Sequence, residues 1–145
     1  MILRLLALAF AALLVPAQAC AQEPDIVVQA DTARTEIERI LNADNLDTNR
    51  LSPRDVAEAI AQIERGRAPQ DFWTAYQLHV RAWSRLADAY ERAQRQQGES
   101  TFADGMEEVE TAADAIESTF DEVERIARRY GARLPVPPVD TQTIA

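Results

Sequence analysis

The sequence predicts an all-α fold: an antiparallel helical bundle in which two long helices form a hairpin packed by two short helices. The chain has 145 residues, of which 47% are hydrophobic and four are Gly. Such a composition suits one domain with a modest core and argues against an all-β fold. Apolar residues over 102–130 recur at intervals of four and three without a miss, which is typical of coiled-coil-like packing. We therefore expect a helical bundle domain over residues 32–131.

The N-terminal segment, residues 1–21, is predicted to be a signal peptide. A short basic start and an apolar run precede a small-x-small site that ends at Ala21, as in secretory signals. Cleavage between Ala21 and Gln22 would release a soluble periplasmic or secreted protein. In the alternative, Cys20 becomes the lipidated N-terminus of a membrane-anchored lipoprotein, although Ala17 stands where lipoprotein boxes usually carry Leu.

The first helix is expected from about Thr32 to Ala43, after a flexible leader over residues 22–31 that shows no clear period. Asp31 or Thr32 is a suitable N-cap. The apolar positions of this helix share one face: Ala33, Ile37, Ile40 and Leu41.

The second helix has the best-marked start. Ser52 at the N-cap and Asp55 at the third position form a capping box, with Pro53 at the favoured first position. We expect this helix to continue to Gly66 and to bury a stripe of three residues: Val56, Ile60 and Ile63.

The two long helices follow, from near Pro69 to Gly98 and from Thr101 to Gly131. The third carries the most aromatic stripe of the chain: Phe72, Tyr76, His79, Trp83, Leu86 and Tyr90. Thr101 with Asp104 predicts a second capping box. The fourth helix carries an apolar seam, which we define as Phe102, Met106, Val109, Ala113, Ile116, Phe120, Val123, Ala127 and Tyr130. Residues 132–145 are Pro-rich and predict an extended tail.

Composition narrows the function classes. The net charge of −9 argues against nucleic acid as a partner, and against a membrane unless Cys20 is lipidated. The chain has one His and one Cys, too few for a cluster of His ligands, or for a thiol catalyst once Cys20 is removed or lipidated. We therefore expect no catalytic residues and no cofactor, although catalysis by carboxylates alone stays open. All fifteen basic residues are Arg, which, beside abundant Ala, is typical of a GC-rich bacterium.

One loop is a weak candidate for calcium binding. Residues 44–55 resemble a degraded EF-hand loop, with oxygen ligands expected from four side chains: Asp44, Asp47, Asn49 and Asp55. Leu46 occupies one ligand position, and Asp55 replaces the bidentate Glu at the end of such loops. The alternative is a plain turn, because Asn and Asp favour turns and caps without any metal.

The fourth helix also carries an acidic stripe, defined here as Glu107, Glu110, Asp114, Glu117, Asp121 and Glu124. One hypothesis is a solvated face neutralised by Arg residues of the third helix. The other is a docking surface for a basic protein or peptide of the cell envelope. Four small or apolar residues opposite the stripe also allow a homo-oligomer through the helix over 101–130: Ala112, Ala115, Thr119 and Ile126. The sequence therefore predicts an exported binding or structural module rather than an enzyme.

Overall fold

The structure, a computed structural model, describes residues 23–137, with side chains from Val28 onward. This part of the chain contains four helices and no strand, which confirms the all-α class and the bundle character. The helices are α1 (Glu23–Asp44), α2 (Pro53–Ala61), α3 (Gln70–Arg95) and α4 (Phe102–Arg129).

Helix α1 begins at Glu23, whereas the sequence led us to expect a leader over 22–31 and a start near Thr32. The Thr32 hydroxyl does not cap the helix but donates to the carbonyl of Val28, at 2.8 Å and one turn back. This is how Thr satisfies its hydroxyl inside a helix. Pro24 lies in the first turn, where a missing backbone N–H costs nothing.

The capping box of α2 is confirmed. The Ser52 hydroxyl accepts from the backbone of Asp55, and the Asp55 carboxylate accepts from the backbone of Ser52. The helix ends at Ala61, earlier than expected, and Gly66 lies in the following loop with a φ of 55°. Arg54 of α2 forms ion pairs with two residues of α3, Asp88 at 2.6 Å and Glu91 at 2.8 Å.

Helices α3 and α4 contact each other along their lengths. Contacts join Asp71 to Arg129 and His79 to Thr119. A third joins Arg92 to Glu108, at 2.9 Å.

The predicted capping box at Thr101 is wrong. Thr101 has helical backbone angles (φ −87°, ψ 0°), and its side chain makes no capping bond. An N-cap residue normally has extended angles. Instead, α4 begins directly after a turn in which the Phe102 N–H donates to the carbonyl of Glu99.

The core lies at what we call the closed end, residues 70–83 of α3 and 116–130 of α4, where α1, α2 and the segment 132–134 pack against the two long helices. Its largest fully buried side chains come from all four helices: Tyr76, Phe72, Ile37, Ile40, Leu41, Ile60 and Val123. The tail also packs here, since Ala132 is buried and the backbone N–H of Arg133 donates to Glu38 at 3.0 Å.

We call residues 87–109 the open end. Its buried residues are small: Ala87, Ala89, Ala93 and Gly105. The seam of α4 is buried at Val123 and Ala127, but Met106 is 42% exposed and Ala113 is also exposed. The seam therefore predicted only part of the inner side of α4, because Gly105 and Ile126, which lie outside the seam, are buried as well.

Candidate functional site

The one histidine of the chain is buried inside a polar cluster. His79 lies on α3 one turn before Trp83, whose indole N–H donates to His79 Nε2 at 3.1 Å. On the other side of the ring, Nδ1 is 3.3 Å from the Thr119 hydroxyl. That hydroxyl donates its proton to the carbonyl of Ala115 at 2.7 Å, so it can only accept from His79. The imidazole is therefore neutral and carries its proton on Nδ1.

A carboxylate lies beside this ring. Asp44 is the last residue of α1, and its Oδ1 accepts from the Tyr76 hydroxyl at 3.2 Å. Its Oδ2 is 3.8 Å from His79 Nε2. The side chains of Asp44 and His79 are 8% and 4% exposed, which makes them unusual for ionisable groups.

Burial moves the two pKa values in opposite directions, because it penalises the charged form of each group. It lowers the pKa of His79 to about 4, against the opposing effect of a hydrogen bond to the Ile116 backbone. It raises the pKa of Asp44 to about 6, which the Tyr76 hydrogen bond partly offsets. Above pH 6 the site therefore holds an ionised carboxylate beside a neutral imidazole.

A cavity of about 310 Å³ opens next to this pair, at the junction of the four helices. Asp44, His79 and Glu117 supply its ionisable groups. The other lining residues are mostly apolar or aromatic: Thr48, Val56, Trp83, Ala113, Ile116 and Phe120. A concave apolar surface with a few convergent polar groups is the usual form of a small-molecule site.

The candidate calcium ligands make their hydrogen bonds to different residues. Asp44 belongs to the His79 cluster, and Asp47 Oδ1 accepts from the backbone of Asn49 at 3.2 Å. Asp55 is engaged in the α2 capping box, where its hydrogen bonds with Ser52 lower its pKa. Within the described residues, no three side chains of the types His, Cys, Asp and Glu lie close enough to hold one metal ion.

The acidic stripe is largely open to solvent. Glu124 pairs with Arg128 of its own helix at 2.6 Å. In the part of the chain that the structure describes, the other five carboxylates are exposed and form no ion pair: Glu107, Glu110, Asp114, Glu117 and Asp121. Of the stripe, only Glu117 lines the cavity beside His79.

Positions on α4 that suited a second chain are partly used within this one. Thr119 contacts His79 of α3, and Ile126 is buried in the core. The predicted cleavage site at Ala21 and Gln22, and the alternative lipidation site at Cys20, lie outside the described residues. In residues 23–137, no helix combines the length and apolarity needed to cross a membrane.

Sequence reasoning singled out Asp44 and His79 separately but did not predict that they lie side by side. Asp44 was noted as a loop ligand and His79 as a packing residue of an aromatic stripe. The only signal in the sequence was a polar, ionisable side chain within that stripe. Comparisons with protein-family models, with curated proteins and with solved structures find no match to this chain.

Proposed function

We propose that the protein is an exported, non-catalytic binding module of the bacterial cell envelope, which docks a basic protein or peptide on the acidic stripe of α4. Export rests on the basic start, apolar run and small-x-small site of residues 1–21. Cleavage before Gln22 gives a soluble form, whereas lipidation of Cys20 gives an anchored one.

The scaffold in this proposal is an antiparallel hairpin of α3 and α4. Three contacts support it, because their residue numbers rise on one helix as they fall on the other: Asp71 with Arg129, His79 with Thr119, and Arg92 with Glu108. Such a pair presents the acidic stripe along one rigid element.

The observation that carries the docking proposal is the set of exposed stripe carboxylates without an ion pair. Neutralisation by Arg residues of α3 was the alternative hypothesis. Arg92 instead pairs with Glu108, outside the stripe, and Arg95 lies 4.0 Å from Glu91 of its own helix. A surface of one sign attracts an oppositely charged partner and speeds its association.

Apolar groups lie near the start of the stripe and offer contact area. Tyr90, Phe102 and Met106 line a groove of about 490 Å³ at the open end. Tyr90 is 39% exposed and Met106 is 42% exposed. A basic segment with apolar side chains suits a surface of this mixed character.

The test compares two double variants with the same change in charge. Glu110→Gln with Asp114→Asn removes two stripe carboxylates that line neither the cavity nor the groove. Glu58→Gln with Glu64→Gln removes two exposed carboxylates outside α4 and serves as the control.

A partner captured from envelope extract at low salt is purified and its association rate measured against rising salt. We expect the stripe variant to associate several-fold more slowly, with a flatter salt dependence, and the control to behave as the wild type. Equal rates for the two variants, or no salt-sensitive basic partner, would refute docking on the stripe.

A further inference from the structure

The carboxylate of Asp44 has one oxygen without a hydrogen-bond donor. Oδ1 accepts from Tyr76, whereas Oδ2 lies 3.8 Å from His79 Nε2, beyond hydrogen-bond distance. That nitrogen is itself an acceptor, because it accepts a hydrogen bond from the indole N–H of Trp83. Among the described residues, no group donates to Oδ2, although only 8% of the Asp44 side chain is exposed. Every side-chain oxygen or nitrogen of the described residues that is shut off from solvent has a hydrogen-bond partner. Oδ2 is therefore accessible, and because Asp44 lines the cavity, a ligand there can donate to it.

The cavity walls select the charge of such a ligand. Asp44 and Glu117 are the carboxylates of the lining, and no Arg lies among the described lining residues. Trp83 and Phe120 add aromatic surfaces, which attract cations through the negative faces of their rings. The lining therefore favours a cation over an anion or a neutral molecule.

We propose that this cavity binds a small protonated amine, whose N–H donates to Asp44 Oδ2 and whose apolar part lies against Trp83 and Phe120. The volume of about 310 Å³ lies at the lower end for ligand sites, which favours a small molecule. An amine is preferred to a quaternary ammonium ion, because only an N–H satisfies the open oxygen. This proposal does not rest on docking at the acidic stripe.

The protonation states of the neighbours suit this ligand. His79 is neutral above its lowered pKa of about 4 and so places no competing positive charge beside Asp44. Tyr76 and His79 of α3 face Asp44. Glu117 of α4 and the apolar Val56 of α2 line the same cavity. Affinity should rise with pH through about 6 as Asp44 ionises.

The experiment uses benzylammonium as the probe, with binding measured by calorimetry and by the fluorescence of Trp83 in a Trp73→Phe background. Benzyltrimethylammonium keeps the charge but has no N–H, and benzyl alcohol has no charge. A capped tripeptide with a central Lys separates a free amine from an ammonium group on a protein side chain.

We expect benzylammonium to bind more tightly than the three other probes. Asp44→Asn, which keeps the side-chain shape and the acceptor for Tyr76, should weaken binding by at least about tenfold, as expected for loss of a charged hydrogen bond. Glu117→Gln should weaken it a few-fold, and the control Glu58→Gln should leave it unchanged.

Three results would overturn the proposal: no binding of benzylammonium, equal weakening by Asp44→Asn and Glu58→Gln, or tighter binding of the Lys peptide. If Asp44→Asn does not fold, the wild-type pH profile decides, since an affinity that stays constant from pH 4 to pH 6.5 contradicts a role for Asp44, whose pKa is raised to about 6. The stripe variant Glu110→Gln with Asp114→Asn should bind benzylammonium normally, so the two proposals can fail independently.

Discussion

The two ends of the α3–α4 pair bury side chains of different size. At the closed end, Phe72 and Tyr76 of α3 are fully buried, as is Val123 of α4. At the open end the buried residues are alanines and Gly105, where a Cβ would lie 3.3 Å from Ala93. Small residues let two helices approach closely, but they remove little apolar surface from water.

This difference shows what the heptad spacing of α4 does and does not determine. The same spacing runs through both ends, yet the seam is buried only where α1, α2 and residues 132–134 add further contacts. Because hydrophobic stabilisation follows the apolar area buried, most of it belongs to the closed end. The open end is held by the close contact of α3 and α4 and by the ion pairs of Arg54 with Asp88 and Glu91, and it leaves Tyr90 and Met106 exposed.

The largest expected effect compares two phenylalanines. Phe72 is 0% exposed at the closed end, whereas Phe102 is half-buried at the open end. Phe72→Ala should lower the free energy of unfolding by about 3–5 kcal/mol, as for a fully buried ring. Phe102→Ala should lower it by about 1 kcal/mol, since much of its surface already meets water. Urea denaturation monitored by circular dichroism measures both.

The two variants delete the same atoms, so each is the control for the other. Losses that agree within 1 kcal/mol would mean that the two ends contribute alike, and the contrast between them would not hold.

Much of the fold followed from local pattern. Periodicity and caps placed all four helices, and the ends of α3 and α4 fall within a few residues of the breakers Pro69, Gly98 and Gly131. The start of α1 was missed because its first turns carry no apolar period. The coverage of the seam was missed because it depends on where α1 and α2 pack, which no pattern within α4 contains.

The second prediction concerns the two buried ionisable groups of the closed end. Between pH 6.5 and pH 4, His79 is protonated in the unfolded chain but still neutral in the folded chain. His79 therefore lowers the free energy of unfolding as the pH falls. Asp44, with its pKa raised to about 6, is protonated in the folded chain at a higher pH than in the unfolded chain. Asp44 therefore raises the free energy of unfolding as the pH falls. In the wild type the two effects nearly cancel.

Substituting one of the two residues should remove its own effect and leave the effect of the other uncompensated. Relative to wild type, His79→Gln should gain about 2 kcal/mol as the pH falls from 6.5 to 4, and Asp44→Asn should lose about as much. Urea denaturation across this range measures both, with exposed Glu58→Gln as the control. Slopes of the same sign for the two variants would contradict the pKa order of the pair.

The candidate site was less accessible to sequence reasoning than the fold. Asp44 and His79 lie 35 positions apart, and their contact requires the end of α1 to meet the middle of α3. The spacing showed that His79 faces inward, but not that Trp83 and Thr119 would fix its tautomer. The calcium hypothesis grouped Asp44 with Asp47 and Asp55 because they are close in sequence, whereas their hydrogen bonds go to three different partners.

The smallest effect compares the two capping boxes expected from the sequence. Ser52 accepts from the backbone of Asp55 and satisfies a free N–H at the start of α2, so Ser52→Ala should cost about 1 kcal/mol. Thr101 makes no such bond, because its helical backbone angles place it in a turn that leads into α4. Thr101→Ala should therefore cost under about 0.5 kcal/mol, as at an ordinary surface position. Thermal and urea unfolding of both variants measure the difference, and a Thr101→Ala loss as large as that of Ser52→Ala would mean that Thr101 caps α4 in solution after all.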